Sequence, residues 1–160
     1  FVEIYNGALT PADLSTVVLV MVNGSTSREY ARVALSGTLA PGAYAVVANA
    51  GVMVPAGVAR FSIANDSLQN GAPDGVALIN TATGTMIDAL CYEGPMSAAT
   101  ITGVTGTVSL VEGTVLAATV ADSNTMPNSI ARIPNGSDTD EANTDWRLSA
   151  TPTPGAANTP

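Results

Sequence analysis

The stretch NDSLQNGAPDGVALINTATGTMIDALCYEG, Asn65 to Gly94, decides the fold. Two strand-like runs, Gly75 to Asn80 and Thr85 to Glu93, flank the turn-forming segment Thr81 to Gly84. A loop rich in Asn, Asp, Gly and Pro leads into them, so the segment is a β-hairpin with an elaborate entrance.

Outward from the hairpin, the same short-strand grammar recurs. Phe1 to Tyr5 is strand-like and stops at Asn6-Gly7, a strong turn signal. Val17 to Val22 is continuously apolar, which predicts a strand covered on both faces and closed by Asn23-Gly24. Tyr30 to Leu35 alternates, with Ala31, Val33 and Leu35 on one face and Arg32 on the other. Pro41-Gly42 precedes a strand at Tyr44 to Ala48, and Val58 to Ile63 is a weaker candidate. A single helical turn is expected after Thr10-Pro11, with Asp13 or Ser15 near its cap.

Beyond the hairpin, Pro95 to Asn128 carries only short β-like runs, Thr107 to Val111 and Val115 to Val120, among Gly, Thr and Ser. Ser129 to Ile133 and Asp145 to Leu148 are the last expected strands, with an acidic loop between them. Strands this short, with turn signals about every ten residues, predict an all-β, antiparallel β-sandwich. It occupies residues 1–150. Residues 151–160, TPTPGAANTP, lack apolar periodicity and read as a Pro-rich linker or frayed end.

Composition narrows the partners. The 160 residues are 46% hydrophobic and only 11% charged, which excludes a disordered chain. No apolar run approaches the ~20 residues of a membrane-spanning helix, so membrane insertion is not expected. Thirteen acids face five basic residues, all arginine, for a net charge of −8. A phosphate-tracking surface needs clustered Lys and Arg, so nucleic acid is not an expected partner. The single cysteine cannot close an internal disulfide. The chain starts at Phe1 inside a strand-like run, which suggests a piece of a longer protein.

Catalysis finds little support. Histidine is absent, and with it the usual general base and the commonest metal ligand. No nucleophile elbow, phosphate-cradling loop or paired cysteine occurs. Two carboxylates alone can run glycoside hydrolysis, but no pair is singled out by the sequence. The concentrated hard-oxygen donors are Asp138, Asp140, Asn143 and Asp145, with Glu141 among them. They are the candidate metal ligands, for calcium, because that ion takes several carboxylate and carbonyl oxygens from a flexible loop. The loop is not an EF-hand: Asn143 occupies the glycine position and Ser149 the twelfth. The alternative is that these short side chains cap turns by accepting nearby backbone N–H groups.

Cys91 shares its strand face with Ile87 and Ala89 and reads as a small buried hydrophobe. Asp88 lies on the opposite face beside Leu90 and Tyr92, placed to serve backbone donors of the Asn65 to Gly71 loop or, alternatively, a ligand. The amides of that loop are expected to bond one another. Trp146 is expected in the core. Arg132 and Arg147 are expected to form weak surface pairs with the acidic loop.

Several segments, in order, resemble the bacterial lamin-tail domain family. They are FVEIYN (1–6), NDSLQNG (65–71), PDGVAL (73–78), IDALCYEG (87–94), IARIPNG (130–136), DTD (138–140), DW (145–146) and TPTPGAAN (151–158). The resemblance covers nearly the whole chain. It implies an immunoglobulin-like β-sandwich acting as a non-catalytic accessory or protein-interaction domain of a larger secreted or cell-surface bacterial protein. Its partners would be other domains of the same chain or another protein. Two departures stand out: the family has a further strand before the segment matching Phe1, and a Gly-Trp pair where Thr16-Val17 stand here. The alternative function is a calcium- or small-ligand-binding module built on the 138–145 loop.

Overall fold

Strands and turns alternate along nearly the whole chain in the computed structural model, which describes residues 1–121, 123 and 125–160. The order is β1 (Val2–Tyr5), β2 (Ala12–Asp13), β3 (Val17–Asn23), β4 (Arg28–Ala34), β5 (Thr38–Leu39), β6 (Tyr44–Ala48) and β7 (Ala59–Ser62). There follow β8 (Asp74–Asn80), β9 (Thr85–Tyr92), β10 (Ser129–Arg132), a helical turn α1 (Ala142–Asp145) and β11 (Trp146–Ser149).

The expected hairpin is β8–β9, and it extends into a four-stranded antiparallel sheet of order β4-β3-β8-β9. Interior β3 pairs with both neighbours, Leu19 standing opposite Val33 on one side and Leu78 on the other. Its six apolar residues are all buried, as an unbroken apolar run predicts. Val18, Val20 and Val22 face one side, packed with Ala77 and Ile79. Val17, Leu19 and Met21 face the other. Burying a side chain such as Val20 contributes about 1.5–3 kcal/mol before entropy is counted.

The two faces are covered differently. Met96, Ala99, Ile101 and Leu110, from the segment after the hairpin, close the first face. That segment makes two isolated bridges, Thr100 to Arg28 and Ala99 to Val108, where a strand was expected at Thr107 to Val111, and Val115 to Val120 forms no strand. Gly75 lets it approach: a Cβ there would stand 2.9 Å from Leu110 Cδ1 and 3.0 Å from Leu90 O. The second face is roofed mainly by two small sheets, with the two-residue pair β2–β5 adding Ala12 and Leu39 beside them. The β1-β6-β7 sheet lays Ile4, Ala45 and Val47 over β3. The β10–β11 hairpin, with Leu116 and Ala142, covers Leu90 and Val76. The chain is therefore nearly all-β, built of several antiparallel sheets, consistent with a β-sandwich.

Four local expectations are corrected. β6 and β7 pair in parallel, because the ten-residue excursion between them returns the chain to the same end of the sheet rather than reversing it. No helical turn follows Pro11: Ala12–Asp13 pairs with Thr38–Leu39, and Asp13 Oδ1 accepts from Ser15 N in a turn. Ile87 does not share the buried face of Cys91. A bulge pairs Leu78 with Asp88 but Ile79 with Met86, so Ile87 is extruded and Met86 takes its place in the core. The tail is docked: Gly155 N donates to Glu3 Oε2 at 2.5 Å and Asn158 N to Asn135 Oδ1 at 2.8 Å.

Candidate functional site

Strand parity decides the site. Ile130 of β10 points inward, so Arg132, two residues on, does as well. Its side chain is only 8% exposed. One guanidinium nitrogen lies 2.7 Å from Asp88 Oδ1 and 3.3 Å from Glu112 Oε2. The other lies 2.6 Å from Asp138 Oδ1 and 3.6 Å from Asp145 Oδ2, and also donates to Ser137 O at 3.1 Å. The guanidinium stands 4.8 Å from the centroid of the Trp146 ring. A rigid, delocalised fork suits such a position, where a lysine ammonium would reach fewer of these oxygens. The weak surface pair expected for Arg132 is instead a buried hub joining β9, β10 and the two loops between them and α1. Arg147 donates to Asn143 O and Trp146 O.

Four carboxylates around one cation are unequal. Burial, and then the charge of and hydrogen bond with Asp88, push the Glu112 carboxyl up to about 7, against a weaker pull from Arg132. Burial also raises Asp145, but the Thr139 N–H and O–H, the Glu141 N–H and Arg132 outweigh it and hold that carboxyl below the usual range. Arg132 stays protonated: burial works against its charge, and Asp88, Asp138 and Glu112 more than compensate.

The candidate metal ligands are engaged elsewhere. Asp138 binds Arg132 and accepts from Asp140 N at 3.3 Å. Asp145 is 1% exposed and accepts from Thr139 N at 2.7 Å and Thr139 Oγ1 at 2.9 Å. Asn143 Oδ1 accepts from Ala117 N at 3.1 Å, and Glu141 Oε2 from Thr114 N at 2.9 Å. Asp140 is exposed, at a positive φ of 56°. Among the described residues no three of His, Cys, Asp or Glu group to hold a metal ion. Asp140 N to Asp138 and Thr139 N to Asp145 are local turn bonds, whereas Glu141 and Asn143 tie the loop to Thr114 and Ala117.

Asp88 serves Arg132 rather than the Asn65 to Gly71 loop; there Asp74 Oδ2 accepts from Gly71 N at 3.0 Å. The loop amides bond inside the protein, Gln69 Oε1 accepting from Asn23 at 2.6 Å and Tyr30 Oη bridging Ser67 and Gln69. Cys91 is buried, which pushes its thiol up and away from reactivity.

Beside the hub lies a cleft of about 620 Å3 between the two roofing sheets. β1 forms one wall and β10 the other; the floor is Leu19, Val76, Leu78 and Leu90 of the main sheet. Asp88, Arg132 and Asp138 reach the wall, whereas Glu112 does not. Two buried polar atoms have no hydrogen-bond partner among the described residues, Asn128 Oδ1 and Trp146 Nε1, and both side chains line this cleft. The cleft escapes the sequence because it lies between segments more than a hundred residues apart. No family model, curated protein or solved structure matches the chain.

Proposed function

We propose that this chain is a non-catalytic, immunoglobulin-like protein-interaction module of a larger secreted or cell-surface protein, as its resemblance to the lamin-tail domains implies. The cleft between β1 and β10 is its docking surface. The observation that carries the reading is the chemistry of that wall. Its floor is apolar, and the charges of Asp88, Arg132 and Asp138 on its β10 side are tied into one hub. The one carboxyl of that hub raised towards neutrality, Glu112, stands behind the wall and cannot reach a bound substrate to exchange a proton. Glu3, the other carboxyl of the cleft raised to about 7, is engaged by the N–H groups of Gly155 and Ala156, so the surface is read as one that recognises and holds. The acidic outer surface, at a net charge of −8, keeps the module from self-association and from nucleic acid.

Two measurements test it. A photo-crosslinking residue at Ser129, on the cleft wall, should capture a protein from the surface of the producing cell, while the same residue at exposed Thr83, outside the cleft, should not. Turnover of a glycoside, ester or phosphodiester that disappears in Asp88→Asn would overturn the reading.

A further inference from the structure

Asparagine followed by glycine occurs four times in the chain, at Asn6-Gly7, Asn23-Gly24, Asn70-Gly71 and Asn135-Gly136. Such a pair carries its own chemistry. The glycine nitrogen can attack the side-chain amide carbon of the asparagine, because no Cβ on the second residue stands in the way. The reaction requires the two atoms to come within about 3–3.5 Å, the attacking nitrogen to give up its proton, and the side chain to turn freely. The fold distributes those conditions unequally.

Three of the pairs are held. Asn6 is buried; its amide donates to Thr10 O at 3.0 Å and Leu39 O at 2.8 Å, and its Oδ1 accepts from Ala8 N at 3.1 Å. Asn23 donates to Gln69 Oε1 at 2.6 Å and accepts from Ser25 N at 2.8 Å. The N–H that follows it, on Gly24, is donated to Pro73 O, a carbonyl that does not take up a proton. Asn135 donates to Tyr44 Oη at 2.9 Å and accepts from Asn158 N at 2.8 Å. Turning any of these side chains towards the next nitrogen breaks bonds on both of its polar atoms.

Asn70 differs on each count. It is exposed, and among the described residues its side chain has no hydrogen-bond partner. Its chain neighbours are anchored: Gln69 N donates to Tyr30 Oη at 3.1 Å, and Gly71 N donates to Asp74 Oδ2 at 3.0 Å. The backbone is therefore pinned while the side chain turns. The acceptor of the Gly71 N–H is a carboxylate oxygen, on a residue only 3% exposed and within the reach of a general base. Among the described residues, no carboxylate accepts the glycine N–H of the other three pairs.

We infer that Asn70-Gly71 is a self-modifying site, at which Asn70 cyclises onto the Gly71 nitrogen with Asp74 as the base and then opens to aspartate or isoaspartate, while the other three pairs stay intact in the folded chain. As the bond from Gly71 N to Asn70 Cγ forms, the Gly71 proton passes through Asp74 to the departing amide nitrogen. The Cγ–Nδ2 bond breaks, and ammonia leaves behind a five-membered imide. Water then adds to one of the two imide carbonyls. Opening at Cγ gives aspartate; opening at the main-chain carbonyl gives isoaspartate, with the chain running through the former side chain. One water is taken up and one ammonia released, with no change of oxidation state.

The product sets a second carboxylate beside Asp74 and adds a negative charge to a chain already at −8. It falls on a joint of the main sheet. Gln69 bonds Tyr30 of β4 and accepts from Tyr92 Oη of β9 at 3.5 Å, and Gly71 bonds Asp74 of β8. Isoaspartate lengthens the backbone between those two anchors, so the age of the molecule is recorded where three strands are tied together. The inference stands apart from the docking reading.

The test is to age the whole 160-residue chain in warm neutral buffer, digest it, and read each Asn-Gly peptide by mass spectrometry with fragmentation that separates aspartate from isoaspartate. Asn70 should convert about tenfold or more faster than Asn6, Asn23 and Asn135, and in concentrated urea the four rates should converge. In Gly71→Ala the added Cβ meets only Asp74 Oδ2, at 3.8 Å, so the fold is kept and the conversion at Asn70 should be lost. Asp74→Asn removes the base and should slow Asn70 about tenfold or more. If that variant fails to fold, the pH profile of the unaltered chain decides. With Asp74 as base the rate at Asn70 stays nearly flat between about pH 5.5 and 7.5, where a carboxylate is ionised throughout. Conversion of any other pair as fast as Asn70, unchanged conversion in Gly71→Ala, or a rate that climbs in proportion to hydroxide would each overturn the inference.

Discussion

The two faces of the β4-β3-β8-β9 sheet are finished in opposite ways. One is closed by an irregular segment whose Met96, Ala99, Ile101 and Leu110 fit against it without forming a sheet. The other is roofed by two regular but small sheets that do not meet, and the cleft is the gap between them. Irregular chain can follow the contour of a twisted sheet residue by residue and leave nothing open. Regular sheets carry their own straight edges, and where two such edges fail to join, unpaired backbone is left over. The closed face is where stability is concentrated, and the open face is where the proposed docking cleft lies.

Neighbouring residues of β8 measure the contrast. Ile79 is 1% exposed on the closed face, and Ile79→Ala should cost about 2–4 kcal/mol in urea unfolding through the cavity it leaves. Leu78 is half-buried on the cleft floor, and Leu78→Ala should cost about 1 kcal/mol, because water already reaches part of the side chain. Equal costs would break the distinction between the faces.

The hub at the rim of the cleft comes next. Arg132→Ala strands buried carboxylates without their cation and should cost about 3 kcal/mol at neutral pH. Much of that loss should be recovered near pH 5, where Glu112 is protonated in the folded chain. A loss independent of pH would show that packing on Trp146, rather than charge, accounts for the contribution of Arg132.

A smaller effect follows for the unaltered chain. Glu3 and Glu112 are both raised from 4.5 to about 7, Glu3 by burial against the opposing N–H groups of Gly155 and Ala156. Each therefore holds its proton more tightly folded than unfolded. As pH rises from about 4.5 through about 7 the unfolded chain loses those protons first, so stability falls across that window and levels off above it. Asp145 and Glu29, held low in the fold, act in the other sense and only in acid, where their contribution is lost. Tm should be several degrees higher at pH 5 than at pH 8, and Glu112→Gln should flatten the profile. Smallest of all is calcium. Millimolar calcium followed by chelator should move Tm by less than about 1 °C, since the oxygens of Asp138, Asn143 and Asp145 are already bonded.

Local rules in the sequence determined much of this protein. The apolar run at Val17 to Val22, the turn at Thr81 to Gly84 and the alternation at Tyr30 to Leu35 each depend on contacts within a strand or one turn, and all stand where they were expected. The absence of histidine likewise needs no coordinates. Tertiary structure alone decided the rest. One extra residue at the β9 bulge exchanged Ile87 for Met86, a choice made by the partner strand. The destination of Asp88, the burial of Arg132 and the docking of the tail depend on elements 44 to 152 residues apart in the chain. Whether β1 and β10 pair with one another or leave an open track depends on how two sheets sit over a third. Strand periodicity reports which way a side chain points; it carries no information about which backbone edge goes without a neighbour.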